Sequence, residues 1–173
     1  MSDSPHDSGL LQANELLAEV AIISSKWAQI ELNLVLLLAC ILKCRHRLAY
    51  ALLGTVTANK IRRDMIRNCA LATFESQSHV KEIERILSRT ARAAKRRNAI
   101  AHGLLGAHSE HPDKLTVMQS SPSARPAMIH YTLHRLSELR RISSDFDTLA
   151  VDISDVAQKS RKARRQPWRG TRL

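Results

Sequence analysis

The sequence predicts an all-α protein, a four-helix up-and-down bundle with a small β-hairpin inserted before the last helix. Apolar residues make up 44% of the 173-residue chain but aromatics only 3%, and Gly and Pro number five each, so long helices with a Leu, Ile, Val and Ala core are expected. Apolar positions 16, 20, 23, 27, 30, 34, 37 and 41 recur in alternating steps of four and three, the seam of one long helix. Between two later helical stripes, residues 104–132 are instead rich in turn formers and β-branched residues.

The length suits one domain, so residues 1–13 read as a flexible N-terminus, 14–158 as the helical domain and 159–173 as a disordered basic tail. The first helix spans about Asn14 to Lys43. A second apolar set on it, Leu32, Val35, Leu36 and Ala39, calls for cover on more than one side, by helices of the same chain or by a partner subunit. Past Gly54, a helix from about Thr57 to Phe74 turns Ile61, Met65, Cys69 and Ala72 inward and lines Lys60, Arg63 and Arg67 along another face, a candidate nucleic-acid contact. The third helix, about Ser78 to Ala101, carries Val80, Ile83, Leu87, Ala91 and Ala94 at helical period, with Gly103 placed for a left-handed cap. "LTVMQ" and "AMIHYTL" form the two strands of the hairpin, and the fourth helix begins near Thr132 or Leu133 with Leu136, Leu139, Ile142, Phe146, Leu149, Ile153 and Val156 as its stripe.

The formal charge of +11 is unevenly spread: seven Lys/Arg and no acid lie from Lys159 onward, which leaves +4 (eleven less seven) for the rest. Arg161, Lys162, Arg164 and Arg165, with Trp168 to stack on a base, make the tail a second candidate for nucleic-acid binding. The N-terminus lacks a basic leader, and the longest unbroken apolar run, Leu34 to Leu42, falls well short of the roughly 18–20 residues of a membrane span. With Cys40, Cys44 and Cys69 read as reduced thiols, a cytoplasmic location without membrane contact is expected. His108, Glu110, His111 and Asp113 lie in a hydrophilic turn and are set aside as metal ligands; neither metal nor cofactor is expected.

One stretch breaks the apolar pattern. In "AKRRNAIAHGLL", residues 93–104, a helix of ~100° per residue puts Asn98 about 20° from Leu87, on the apolar stripe, with Arg97 and His102 on flanks about 140° apart. Polar groups so placed need partners, and Glu31 on the first helix is the candidate. Arg97 and His102 can converge only if the helix end unwinds or a second subunit supplies the complement. The same spacing recurs at Arg125 and His130, but there the arginine lies in a Pro/Ser loop.

An arginine, a polar residue and a histidine in R-x4-6-H spacing at the end of the third long helix of an all-α chain resemble the HEPN superfamily, with "RNAIAH" as the match over roughly residues 14–158. The resemblance implies a homodimer that brings two such helix ends to one cleft and, in active members, metal-independent cleavage of RNA by attack of the 2′-hydroxyl. His102 would then exchange the proton, Arg97 would hold the phosphate with Lys95 or Arg96 assisting, and Asn98 would orient the imidazole or the phosphate. A bacterial toxin or defence enzyme restrained by a protein antitoxin fits this reading. The alternatives are a non-catalytic HEPN-like module for RNA or protein binding and a nucleotide-binding protein.

Overall fold

The computed structural model describes residues 5–108, 110–121 and 128–163. It is mostly helical: α1 spans Pro5–Leu42, α2 His46–Gly54, α3 Asn59–Thr73, α4 Gln77–Ala101 and α5 Leu136–Lys162, with strands β1 Leu104–His108, β2 His111–Ser121 and β3 Met128–Arg135 between α4 and α5. The strands form an antiparallel meander in the order β1-β2-β3. The expected four helices and two strands are therefore five and three among the described residues. The nine residues of α2 are too few to show a helical period, and β1 is defined by its pairing with β2 rather than by alternation of its own. Segment ends also differ: α1 already begins at Pro5, β3 continues through Arg135 where the fourth helix was expected to start, and α5 extends to Lys162, four residues into the expected tail.

By its internal contacts the chain divides into two compact units, residues 1–28 with 93–147 and residues 29–92 with 148–173. In the first unit, Leu16, Ile23 and Trp27 of α1, Ala93 and Ile100 of α4, Leu115 and Val117 of β2, and Leu139, Ile142 and Phe146 of α5 are buried. The rings of Trp27 and Phe146 meet at 6.0 Å. Along the rim, Lys26 pairs with Asp147 at 2.5 Å and Arg96 with Asp145 at 2.7 Å.

The second unit buries Ile30, Leu34, Leu37 and Ile41 of α1 with Ala49 and Leu53 of α2, Ile66 and Ala70 of α3, Ile83 and Ile86 of α4, and Ile153 and Val156 of α5. Asn33 donates to the Ala150 carbonyl at 2.8 Å, and Arg89 pairs with Asp152. The inward face of α3 is thus a correction: Ile66 and Ala70 are buried, whereas Ile61 is 52% exposed and Ala72 is exposed. Arg62 explains the rotation, because it donates to the Val56 carbonyl at 2.6 Å and reaches Glu31 at 3.4 Å. At the end of α4–α5 contact in this unit, Lys159 pairs with Glu82 at 2.6 Å and His79 hydrogen-bonds Ser160 at 3.0 Å.

Over Ala13–Leu42, α1 is long and apolar enough, by length and composition alone, to cross a membrane. The unbroken-run criterion misses this because Glu15, Glu19, Lys26 and Glu31 interrupt the segment. The heptad seam is instead buried in the fold: each of Leu16, Ile23, Trp27, Ile30, Leu34, Leu37 and Ile41 is at most 7% exposed. The helix stops at a left-handed residue, Lys43 with φ 52°, and Cys44 N–H reaches back to the Ala39 carbonyl at 3.1 Å, the wide hydrogen bond of a Schellman cap.

The end of α4 is built differently. No glycine among the described residues has positive φ, so Gly103 does not act as the expected left-handed cap. Its requirement is steric: a Cβ there would lie 2.2 Å from Val117 Cγ1, 3.1 Å from the Ala99 carbonyl and 3.2 Å from the Met118 carbonyl. Gly103→Ala therefore forces β2 away from the end of α4 and should cost about 2–3 kcal/mol, within the usual range for overpacking. Urea unfolding of the two proteins measures the difference.

Candidate functional site

The candidate site is the C-terminal turn of α4 in the first unit. With ~100° per residue, Arg97 falls between Ala93, Ala94 and Ile100, which are buried, and Asn98 lies about 100° further round. The core-facing polar residue is accordingly Arg97, half-buried, and the expectation that Asn98 faces the core is corrected by its exposure. Leu87, the reference for that expectation, belongs to the second unit, where the buried stripe of α4 runs along a different line.

Past Ala101 the helix unwinds. The His102 N–H still reaches the Asn98 carbonyl at 3.1 Å, but Gly103 turns the chain into β1. Gln119 on β2 closes the turn by donating to the Ala99 carbonyl at 2.7 Å, a helix-end acceptor that would otherwise lack a partner. Nothing in the spacing of the sequence singles out Gln119, since its role depends on the β2 register.

At this helix end the arginine and the histidine meet within one chain. Arg97 Nη1 lies 3.4 Å from His102 Nε2 and 3.2 Å from Asn98 Oδ1. A guanidinium only donates, so Nε2 is the acceptor and the neutral ring carries its proton on Nδ1. Asn98 holds the guanidinium rather than the imidazole. Arg97 Nε is buried without a hydrogen-bond partner among the described residues, which leaves one donor of the guanidinium unsatisfied at a cost of order 1–3 kcal/mol.

The remaining candidates separate. Arg96 points to Asp145 on α5, and Lys95 is exposed, so Arg97 is the cation on the histidine. Glu31 lies in the second unit on Arg62, and the acid that α1 buries in the first unit is Glu19. Of the basic stripe on α3, Lys60 is exposed, Arg63 is half-buried and Arg67 is paired with Glu84 at 2.8 Å, which raises the Arg67 pKa. Arg63 and Arg67 border a hollow of about 340 Å³ that also holds Asp64 and Glu84, so this face mixes both signs of charge. Arg161 and Lys162 are exposed on the last turn of α5, whereas Arg164, Arg165 and Trp168 lie outside the described residues, as does Arg125 of the second motif match. Burial pushes the Cys69 thiol up, favouring its protonated, unreactive form.

Compared with protein-family models, with curated proteins and with solved structures, the chain matches none.

The sheet beside the helix end contains a titrating group. His134 on β3 stands opposite Leu115, on the packed face of the sheet. Burial holds its imidazole below the ordinary histidine range, and the Glu138 carboxylate at 3.8 Å opposes part of that shift. The unfolded chain thus takes up this proton at higher pH than the folded one. The resulting stability is complete above about pH 7, past the ordinary histidine pKa, and is lost as pH falls through the depressed folded value. His134→Gln should flatten the fall in stability between about pH 7 and 5, read from urea midpoints across that interval.

Proposed function

We propose that the chain is a metal-independent endoribonuclease of HEPN type. The observation that carries the reading is the approach of Arg97 Nη1 to His102 Nε2 at the end of α4. In this reading the Nε2 lone pair takes the proton of a ribose 2′-hydroxyl, and the freed alkoxide attacks the adjacent phosphorus. The P–O5′ bond breaks and the departing 5′-oxygen takes a proton from solvent water, leaving a 2′,3′-cyclic phosphate and a 5′-hydroxyl end. Arg97 stabilises the charge that gathers on the phosphoryl oxygens. Its present bonds are long and one N–H is unsatisfied, so turning toward an anion forfeits little and gains charge-assisted hydrogen bonds. Asn98, at the surface, keeps the guanidinium in reach of the ring.

The experiment is incubation of total RNA with the protein in EDTA, beside His102→Ala, after matching the two for helicity by circular dichroism. Cleavage by the wild type with cyclic-phosphate ends, no cleavage of DNA, and a loss of about 10²–10⁴-fold in His102→Ala support the proposal. Equal cleavage by both overturns the assignment of His102, and RNA binding without cleavage by the wild type replaces the enzyme with a binding module.

We further propose that the protein works as a homodimer. In support, Leu32 of α1 is 54% exposed and Tyr50 of α2 is 61% exposed, and with the half-buried Val35 and Leu36 they border an apolar groove of about 490 Å³ in the second unit. Leu32→Glu places a charge in that groove and should convert the dimer to monomer in analytical ultracentrifugation. A wild-type monomer at micromolar concentration overturns the proposal.

A further inference from the structure

The meander has two faces that differ in burial at its centre and at its edges. Antiparallel partners share a face, so the register assigns Leu105, Val117 and Thr132 to one side and Leu104, Met118 and Tyr131 to the other. The first side is the packed one, with Leu115 at 4% and Val117 at 1% exposure. On the second side Leu104 is 67% exposed, Tyr131 63% and Ile129 57%, a concentration of apolar and aromatic surface left open at this end, while Thr116 and Leu133 further along the same side are buried and half-buried.

Two further observations say what this face accepts. Lys114 and Arg135 are direct cross-strand partners on the same side, and among the described residues neither side chain forms an ion pair, while the Glu138 carboxylate accepts from the Arg135 backbone N–H at 3.2 Å. Like charges placed opposite each other on a sheet are unfavourable unless an anion lies over them. The face is also continuous with the helix end: Leu104, which opens β1, is two residues from His102, and its cross-strand row is Leu104, Met118 and Tyr131. Four residues along β2, about 13 Å at strand rise, separate that row from Lys114 and Arg135.

We infer that the outward face of the β1–β2–β3 sheet is a platform for single-stranded RNA, along which the strand is led to the Arg97–His102 helix end. The inference rests on the ribonuclease reading for the fate of the strand but not for its binding. Tyr131 stacks on a base beside Leu104 and Met118, and Lys114 and Arg135 hold backbone phosphates further along. An exposed ring on a sheet favours unpaired bases, since a duplex offers no free base face. The platform thus selects single-stranded over double-stranded RNA.

The test is fluorescence anisotropy of a labelled single-stranded 12-nucleotide RNA on the full chain carrying His102→Ala, which keeps the probe intact. Adding Tyr131→Ala should weaken binding by about 5- to 150-fold, the usual range for losing one stacked base, while Tyr131→Phe retains it. Adding Lys114→Ala with Arg135→Ala should lower the slope of log affinity against log salt by about 1.4, the value for two single-strand phosphate contacts. A matching RNA duplex should bind less tightly than the single strand. Unchanged binding in Tyr131→Ala overturns the platform, and so does a loss of self-association in that variant with RNA affinity intact, which makes the face a contact between copies. The two readings fail separately. Cleavage by a Tyr131→Ala chain with unaltered KM removes the platform and leaves the enzyme, whereas Tyr131-dependent binding by a wild type that never cleaves keeps the platform and removes the enzyme.

Discussion

Position 103 has no room for a side chain, and the architecture around the candidate site follows from that restriction. Val117 of β2 occupies the space a Cβ would need, and the Ala99 and Met118 carbonyls close in from either side. This approach fixes where α4 stops and where β1 starts, because the chain passes from one to the other in the two residues His102 and Gly103. It also brings Gln119 to the Ala99 carbonyl, so the sheet caps the helix end together with the His102 N–H on the Asn98 carbonyl. At this helix end, with its N–H still on the Asn98 carbonyl, His102 meets the Arg97 guanidinium at 3.4 Å.

The charges of the first unit sort by the same contacts. Lys95, Arg96 and Arg97 are consecutive, yet they meet three environments: solvent, the Asp145 carboxylate and the His102 ring. The exposed pairs Lys26–Asp147 and Arg96–Asp145 contribute little to stability individually, since solvent and salt screen them. Their larger effect is on where positive charge is left available. With Arg96 engaged on α5, a polyanion approaching this end of α4 meets Lys95 and Arg97.

Sequence reasoning succeeded where a long period left one answer. The α1 seam from Leu16 to Ile41 is buried except for the half-buried Val20, because steps of four and three sustained over that length fit a helix alone. It failed on α3, where Ile61, Met65 and Cys69 compete with Ile66 and Ala70 for the inward side and the anchoring of Arg62 decides between them. Asn98 was misplaced because the apolar line through Leu87 was extended to the helix end, although the core beneath the last turns is made by Ala93, Ala94 and Ile100. Arg97 and His102 were legible as residues, but their meeting was not. It depends on side-chain conformations at the helix end that spacing does not fix, and the sheet face beyond it depends on a register that pairs residues far from either motif residue.

All strand pairing in the meander lies between Leu104 and Arg135, and every paired strand is the next one in the chain. Contacts that local close short loops at small entropic cost, so they form ahead of pairings between distant segments. The rest of the first unit needs residues 1–28, separated from it in sequence by 29–92. The histidine and its sheet are consequently assembled by near neighbours. The long-range cost of folding falls on α1, whose Trp27 must travel back across most of the chain to find Phe146.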